Sequence, residues 1–305
     1  MESPIKLSVV ISCYKQQDYI AECLESVLGQ KVDFEYEIII ADDCSPDNTR
    51  EVILQFYKRQ PKKIKLLFQE KNVGAARNYI DLHNQAVGEY VVHFDGDDIM
   101  LPGKLQEQVN VLDADPQCNV VFHRARYFSD DRSYIADTGS LFKEDGTIVI
   151  SKAELARWGT IAVHSSYAYR RATRKTRKYT QDFMEWFFAF ESIQNGGTAA
   201  YINKILVEYR CNPLGNAYLA SSAGREKAYL IIIRHVIYYF EKERFLRSDL
   251  YAHQMINIAM YIKNVKKIKW FMLVFLVKNI FNFNLRKIIE TIRVRKMVGP
   301  FKKNR

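Results

Sequence analysis

Cysteine is scarce in this 305-residue chain, and its five copies, Cys13, Cys23, Cys44, Cys118 and Cys211, are scattered without a C-x-x-C pair. An odd, unpaired set argues against a disulfide framework or a cysteine zinc site, and it fits a reducing cytoplasm. Long apolar runs are missing too. The candidate Trp270 to Val277 has eight residues, against the ~20 needed to span a bilayer. The chain reaches the apolar Leu7-Ser8-Val9-Val10-Ile11 within a few residues of Met1, with no basic, apolar and cleavage regions in succession, so no secretory signal is expected. Acid is almost absent from the C-terminal end, where Lys263 to Arg305 holds thirteen Lys and Arg and one acid, Glu290. The rest of the chain carries 32 basic and 34 acidic residues, so the formal charge of +10 resides in the tail. A near-neutral body argues against nucleic acid or another polyanion as its ligand.

With 48% of its residues hydrophobic, the chain can bury a full core, as one large domain or as a domain plus an appendage. Its first half alternates strand and helix patterns. Leu7 to Cys13, Tyr36 to Ala41 and Ile64 to Phe68 read as strands. Asp18 is placed to cap a helix carrying Ile20, Cys23, Leu24, Val27 and Leu28, and Asp42 to Asn48 is turn chemistry that starts another helix. After Asn72-Val73-Gly74 a third helix runs to about Val87, where Gly88 stops it. This order predicts an α/β fold with a mostly parallel sheet, helices on both faces, and ligands beyond the carboxyl ends of the strands.

The stretch around which the chain is organised is Gly88-Glu-Tyr-Val-Val-His-Phe-Asp95-Gly96-Asp97-Asp98, an apolar strand ending in three carboxylates around one glycine. Mg²⁺ and Mn²⁺ prefer oxygen ligands, and Mg²⁺ is usually held by one or two carboxylates plus substrate phosphates. Asp95 and Asp97 fit that pattern, because residues two apart in an extended segment project to one side and Gly96 admits a ligand to the backbone. The other reading is an acidic turn with Asp98 capping the next helix. Asp42 and Asp43 likewise read either as rim ligands or as caps of the Pro46-Asp47 turn. His93, inside an apolar strand, reads as a hydrogen-bonded core residue in preference to a ligand. The ring of Tyr14 stacks on a nucleobase or packs in the core.

The sequence becomes mixed beyond Val120. Val120 to Tyr127 and Ser165 to Arg170 read as strands, Ser129 to Gly146 as a loop, and Ser151 and Thr180 as caps of helices. Arg225 to Arg244 and Tyr251 to Asn264 have helical periodicity. The basic tail reads as an interfacial amphipathic segment, with Trp270, Phe271 and Phe275 adding apolar burial, or as a helix packed on the body.

Three motifs together, Leu7-Ser-Val-Val-Ile-Ser-Cys-Tyr-Lys, Ile38-Ile-Ile-Ala-Asp-Asp-Cys-Ser-Pro-Asp-Asn-Thr and the strand through Asp95-Gly-Asp-Asp-Ile-Met-Leu-Pro, resemble the nucleotide-sugar half of family 2 glycosyltransferases over roughly the first 120 residues. The resemblance implies the GT-A fold, Rossmann-like, with a catalytic domain at 1–222, its nucleotide-sugar half at 1–120 and its acceptor half at 121–222. A helical, basic C-terminal appendage at 223–305 follows. It also implies inverting transfer from a nucleoside diphosphate sugar, UDP-linked by expectation, with Mn²⁺ or Mg²⁺ as cofactor. Ser12, Tyr14, Asp42 and Asp43 would border the nucleoside, Asn72, Gly74 and Arg77 the diphosphate, and Asp95 and Gly96 the ribose and metal. Asp97 would be the main metal ligand. Asp182 matches the family's general base at a helix start, with Gln181 where an acid is common and Glu185 one turn on; helix capping is its other reading. Leu206 to Asn212 resembles an element that closes over the diphosphate, with Arg210 kept and Asn212 in place of a histidine. Gly215 to Gly224 would be a lid. The expected acceptor is a lipid-linked saccharide in surface polysaccharide or O-antigen synthesis, at the inner face of the cell membrane. Rivals are a non-catalytic nucleotide-sugar or polyanion binder of the same fold and a sugar nucleotidyltransferase, though no Gly-rich, basic triphosphate loop follows the first strand.

Overall fold

The computed structural model describes residues 4–141, 146–174, 178, 181–211 and 222–298. β1 (Leu7–Cys13), β2 (Tyr36–Asp42), β3 (Ile64–Phe68) and β4 (Tyr90–Asp95) form where the pattern predicts strands, joined by α1 (Ile20–Leu28), α2 (Thr49–Arg59) and α3 (Ala75–His83). β1 pairs in parallel with β2 and with β4, and β2 pairs in parallel with β3. Every residue of β2 is buried, as is every residue of β1 but Ser12, which suits parallel strands covered on both faces.

The pleat sorts these side chains between two cores. Val9, Ile11, Ile38, Ile40, Val92 and Phe94 meet Cys23, Leu24 and Val27 of α1, Ile53 and Phe56 of α2, and Leu105, Val109 and Leu112 of α4 (Lys104–Ala114). Their neighbours Val10, Ile39 and Val91 face Leu82 of α3, Trp158 of α5 (Lys152–Trp158), and Trp186 and Phe190 of α6 (Glu185–Ser192). Each such aliphatic side chain contributes roughly 1.5–3 kcal/mol when fully buried, so two-sided coverage fixes both the sheet and its register.

Beyond β4 the sheet is mixed. β9 (Ala168–Arg170) runs antiparallel between β4 and β6 (Cys118–Ser129), and β6 pairs in parallel with β10 (Thr198–Cys211). β10 also pairs antiparallel with β5 (Ile99–Met100) and β8 (Thr147–Ile150), and β7 (Tyr134–Asp137) with β6. The order is β3-β2-β1-β4-β9-β6-β10-β5.

Several local expectations change. The expected loop at 129–146 contains β7, and the strand expected from Ser165 begins as a 3₁₀ turn over His164–Ser166. Asp18 does not cap α1, whose first residue follows Tyr19 with no side-chain cap, and α3 ends at His83. Gly88 serves the chain crossing: a Cβ there would lie 2.6 Å from the Ser8 nitrogen and 2.7 Å from the Leu7 carbonyl carbon. Ser151 does cap α5, in a capping box with Glu154. Thr180 lies outside the described residues, and α6 starts at Glu185.

Four helices close the chain: α7 (Ser222–Lys242), α8 (Arg247–Val265), α9 (Trp270–Lys278) and α10 (Leu285–Val298). Val236, Tyr239, Phe240, Leu250, Tyr251, Val294 and Val298 share a core with Trp158 and Trp186. Phe275 is in that core as well, only 8% exposed, which removes it from the expected interfacial set. Polar contacts reinforce the docking, since Arg157 of α5 bridges Asp249 and Glu290 at 2.7 Å each and Trp158 Nε1 donates to Glu290 at 2.9 Å.

Candidate active site

Strand register brings the first acids together. Ser12 stands opposite Asp95 and Cys13 opposite Asp42, at the carboxyl ends of β1, β4 and β2. The Asp43 amide donates to the Cys13 carbonyl at 3.1 Å, and the Gly96 amide donates to that of Ser12 at 3.1 Å. Asp43 then clamps the next loop: its carboxylate accepts from the amides of Val73 at 2.6 Å and Gly74 at 2.9 Å, while Asn72 Nδ2 donates to its carbonyl at 3.2 Å. Burial pushes the Asp43 carboxyl up, against the pull of those two amides. Gly74, at φ 86°, opens α3, and Asn78 on its inner face donates to Ser12 Oγ at 3.3 Å.

Two expected donor contacts are engaged elsewhere. Asp42 is fully buried, accepting from the Ser45 amide at 3.0 Å, from Ser45 Oγ and from Arg50 Nε at 2.6 Å, so it holds the turn. Arg77 stands exposed on α3 and pairs with Asp81 one turn on, at 3.5 Å. Tyr14 is half-buried, with Lys15 Nζ 5.3 Å from its ring centre.

β4 ends at Asp95, and Gly96 to Asp98 form a turn, so Asp95 and Asp97 approach through the turn and not through strand alternation. A Cβ on Gly96 would press on Gln16 Oε1, the end of a flexible side chain, and lie 3.0 Å from Cys13 Cβ and Ile20 Cδ1, so the position leaves little room for a side chain. Burial pushes Asp95 up, yet a 3.1 Å hydrogen bond with His93 Nε2, together with His164 and Ser165 nearby, outweighs it and holds the carboxyl below its ordinary value. At Asp97 the pull of its own backbone amide and of the Arg210 charge is too weak. Burial, and then the charge of Asp95, push it up to about 7.

Asp98 is not a helix cap, because α4 starts at Lys104 behind Gly103. Its Oδ1 accepts from the Arg210 amide at 2.9 Å, and its buried Oδ2 has no hydrogen-bond partner among the described residues. Arg210, expected at the diphosphate, is built into this loop: Nε donates to the Asp97 carbonyl at 2.9 Å and a terminal nitrogen to Glu22 at 3.0 Å. Its guanidinium lies 4.5 Å from the ring centres of both Tyr19 and Phe128. Burial and the charge of Asp95 raise the proton affinity of Asp97 and of Asp98, and these carboxylates, with the orphaned buried Asp98 Oδ2, are oxygen donors suited to a hard divalent cation.

Asp182 lies three residues before α6, its Oδ2 2.5 Å from Lys227 Nζ. Glu185 opens α6, and burial followed by the charge of Asp95 raises its carboxyl, which puts it within electrostatic reach of the rim. Asn212 and residues 215–221 lie outside the described residues. Sequence reading missed the surroundings of Asp95, namely His83 and His164, and Glu22. Alternation along β4 places His93 on the Asp95 side, but nothing local signals the other three.

The sequence model for glycosyl transferase family 2 matches residues 8–190. The chain belongs to that family. Among its relatives, an uncharacterized protein of Mycobacterium tuberculosis is 36% identical over 126 residues, 41% of this chain, and the match spans about a third of that relative's length, 36%. An uncharacterized glycosyltransferase of Nostoc sp. is 32% identical across 73% of this chain and 70% of its own. A putative teichuronic acid biosynthesis glycosyltransferase of Bacillus subtilis, TuaG, is 38% identical across 35% of this chain and 41% of its own. Among solved structures, residues 1–349 of Staphylococcus aureus TarS in complex with UDP-GlcNAc superpose with a TM-score of 0.68 at 20% identity, over 97% of this chain and 82% of that one. The mannosyltransferase PcManGT of Pyrobaculum calidifontis, in complex with GDP-Man and Mn²⁺, gives 0.56 at 15% identity over 96% and 87%. The fold is therefore GT-A-like.

Proposed function

We propose that this family 2 member transfers a sugar, a hexose by expectation, from a nucleoside diphosphate donor to a saccharide acceptor with inversion. The observation that carries the reading is the convergence of Ser12, Asp43, Asp95 and Asp97 on one rim, with Asp97 driven up to about 7 by burial and by the charge of Asp95. Asp43 and the Asn72–Gly74 loop it clamps frame the nucleoside side, and Asp95 and Asp97 would hold Mn²⁺ or Mg²⁺ with the diphosphate. Such an ion supplies charge neutralisation as the diphosphate departs. Asp182 takes the proton of the acceptor hydroxyl on the face opposite the leaving group, as inversion requires. A UDP-linked donor is favoured by TarS, solved with UDP-GlcNAc, and surface-polysaccharide synthesis by the likeness to TuaG.

The acceptor is proposed to be lipid-linked, met by a protein held peripherally at the inner membrane face. No described helix is long and apolar enough to cross a membrane. α10, however, has a second apolar face. Ile288, Thr291, Val294 and Val298 are buried, while Leu285 (59% exposed), Ile289 and Ile292 line the opposite side beside Arg286, Arg293 and Lys296. Trp270 and Phe281 are 79% and 98% exposed nearby in sequence, and the acid of this region, Glu290, is neutralised inward by Arg157. Exposed apolar residues interleaved with cations suit an anionic interface.

The test is release of nucleoside diphosphate by purified protein across a panel of nucleotide sugars. One donor should be turned over, Asp97→Asn should lose nearly all turnover at an unchanged melting temperature, and chelator should stop the reaction. Full activity in chelator, or Asp97→Asn within a few-fold of wild type, would remove the metal from the reading.

A further inference from the structure

Behind the rim lies a group of imidazoles that the sugar-transfer reading does not use. β4 carries His93 two residues before Asp95, so both project from the same face, and His93 Nε2 lies 3.1 Å from Asp95 Oδ1. His164, which opens the 3₁₀ turn His164–Ser166, stacks on His93 with ring centres 3.8 Å apart at 25°. One nitrogen of each ring and one Asp95 oxygen all lie within 4.8 Å of one another. His164 Nε2 is buried and has no hydrogen-bond partner among the described residues, an exception among buried polar atoms that a bound ion would satisfy.

The surroundings prepare the second ring for coordination. His93 Nδ1 lies 3.0 Å from His83 Nε2, and His83 Nδ1 lies 2.6 Å from the Tyr169 hydroxyl. While no ion is bound His93 Nε2–H donates to the Asp95 carboxylate; on binding one, the ring can take the tautomer in which Nδ1–H donates to His83 Nε2, His83 Nδ1–H donates to Tyr169, and the freed Nε2 lone pair meets the ion beside Asp95. Outer hydrogen bonds of this kind fix the ring orientation and tautomer of metal-binding histidines. Tyr79 stacks on His83 with centres 3.8 Å apart and closes the far side.

We propose that His93 Nε2, His164 Nε2 and the Asp95 carboxylate form a site for a borderline divalent transition-metal ion of the zinc and cobalt class. Two imidazoles with one carboxylate suit that class, whereas Mg²⁺ selects oxygen donors alone. The site shares Asp95 with the proposed donor-binding rim but does not need Asp97, and it rests on the imidazole geometry whether or not sugar transfer is the reaction. If the ion is bound there, the rim discriminates among metals, with nitrogen ligands favouring zinc or cobalt over magnesium.

Titration of chelator-treated full-length protein with Co²⁺, read by visible absorption, and with Zn²⁺, read by calorimetry, tests this without any assay of activity. One equivalent should bind, with cobalt bands that an equal concentration of Mg²⁺ does not displace. His164→Gln should weaken binding at least tenfold, and His83→Leu, which removes the outer hydrogen bond, about 10- to 100-fold. Asp97→Asn should stay within threefold of wild type. No binding by wild type at millimolar Co²⁺ overturns the proposal. So does unchanged affinity in a His164→Gln protein that melts near wild type, or loss of binding in Asp97→Asn alone. Should His164→Gln fail to fold, His83→Leu decides: a cobalt affinity equal to wild type overturns the proposal. Failure of sugar transfer with cobalt binding intact would count against the transfer reading and leave this site standing.

Discussion

Arg210 holds the backbone of the metal-loop candidate Asp97: its Nε donates to the Asp97 carbonyl at 2.9 Å, while its own amide donates to Asp98 Oδ1 at 2.9 Å. One residue near the end of β10 thus fixes both halves of a turn more than a hundred positions earlier. The guanidinium is flat and forked, so lysine cannot reach the Asp97 carbonyl and Glu22 together. Arg210→Lys should lower transfer about 10- to 100-fold, the equivalent of one hydrogen bond involving a charged group. Steady-state kinetics beside a thermal melt would check it, and wild-type kinetics would show that the loop holds its shape without this contact.

The base assignment separates two acids at one helix start. Asp182→Asn should reduce transfer by roughly 10²–10⁴ while nucleotide affinity by calorimetry stays unchanged. Glu185→Gln should cost far less. The opposite ranking would move the base to Glu185, whose carboxyl burial and Asp95 already raise.

Part of the acid lability should arise away from the site. His235 is 5% exposed, its ring centre 4.5 Å from that of Phe187, and burial lowers its pKa to about 4. The unfolded chain takes up this proton near pH 6.5 and the folded chain refuses it, so the stability involved is complete above pH 6.5 and is lost as pH falls through 4. Urea unfolding at pH 7 and pH 5 should show His235→Leu losing about 2 kcal/mol less than wild type over that interval. Equal losses would mean that His235 titrates normally in the fold.

Membrane attraction is the fourth expectation. Arg286, Arg293 and Lys296 have no acid partner among the described residues, and each cation near an anionic surface contributes about 1 kcal/mol. Arg286→Glu with Arg293→Glu should weaken flotation with anionic vesicles at least about tenfold, and Trp270→Ser with Phe281→Ser should do so even at low salt. Binding that ignores all four changes and raised salt would place the vesicle contact elsewhere or nowhere.

The four strands β1 to β4, with Asp95 at the end of β4, and the turns that carry Asp43 and Asp97 were legible in the chain alone. Those features depend on local rules: an apolar run buried on both faces, turn residues at its end, and acids placed where a parallel sheet presents its carboxyl rim. Tertiary structure decided which of these acids remain available. Asp42 is taken by Arg50 and Asp98 by the Arg210 amide, partners that no periodicity links to them. The strands β5, β7 and β8 were illegible because each is short and owes its existence to pairing with β6 or β10. His164 reaches His93 for the same reason: β9 enters the sheet beside β4, and only that docking carries the turn before it over the rim. In the tail, composition showed the charge and the aromatics. Burial of one face of α10 against α5 and α8 decided which apolar residues were left facing outward, because a helix face is defined by what packs on it.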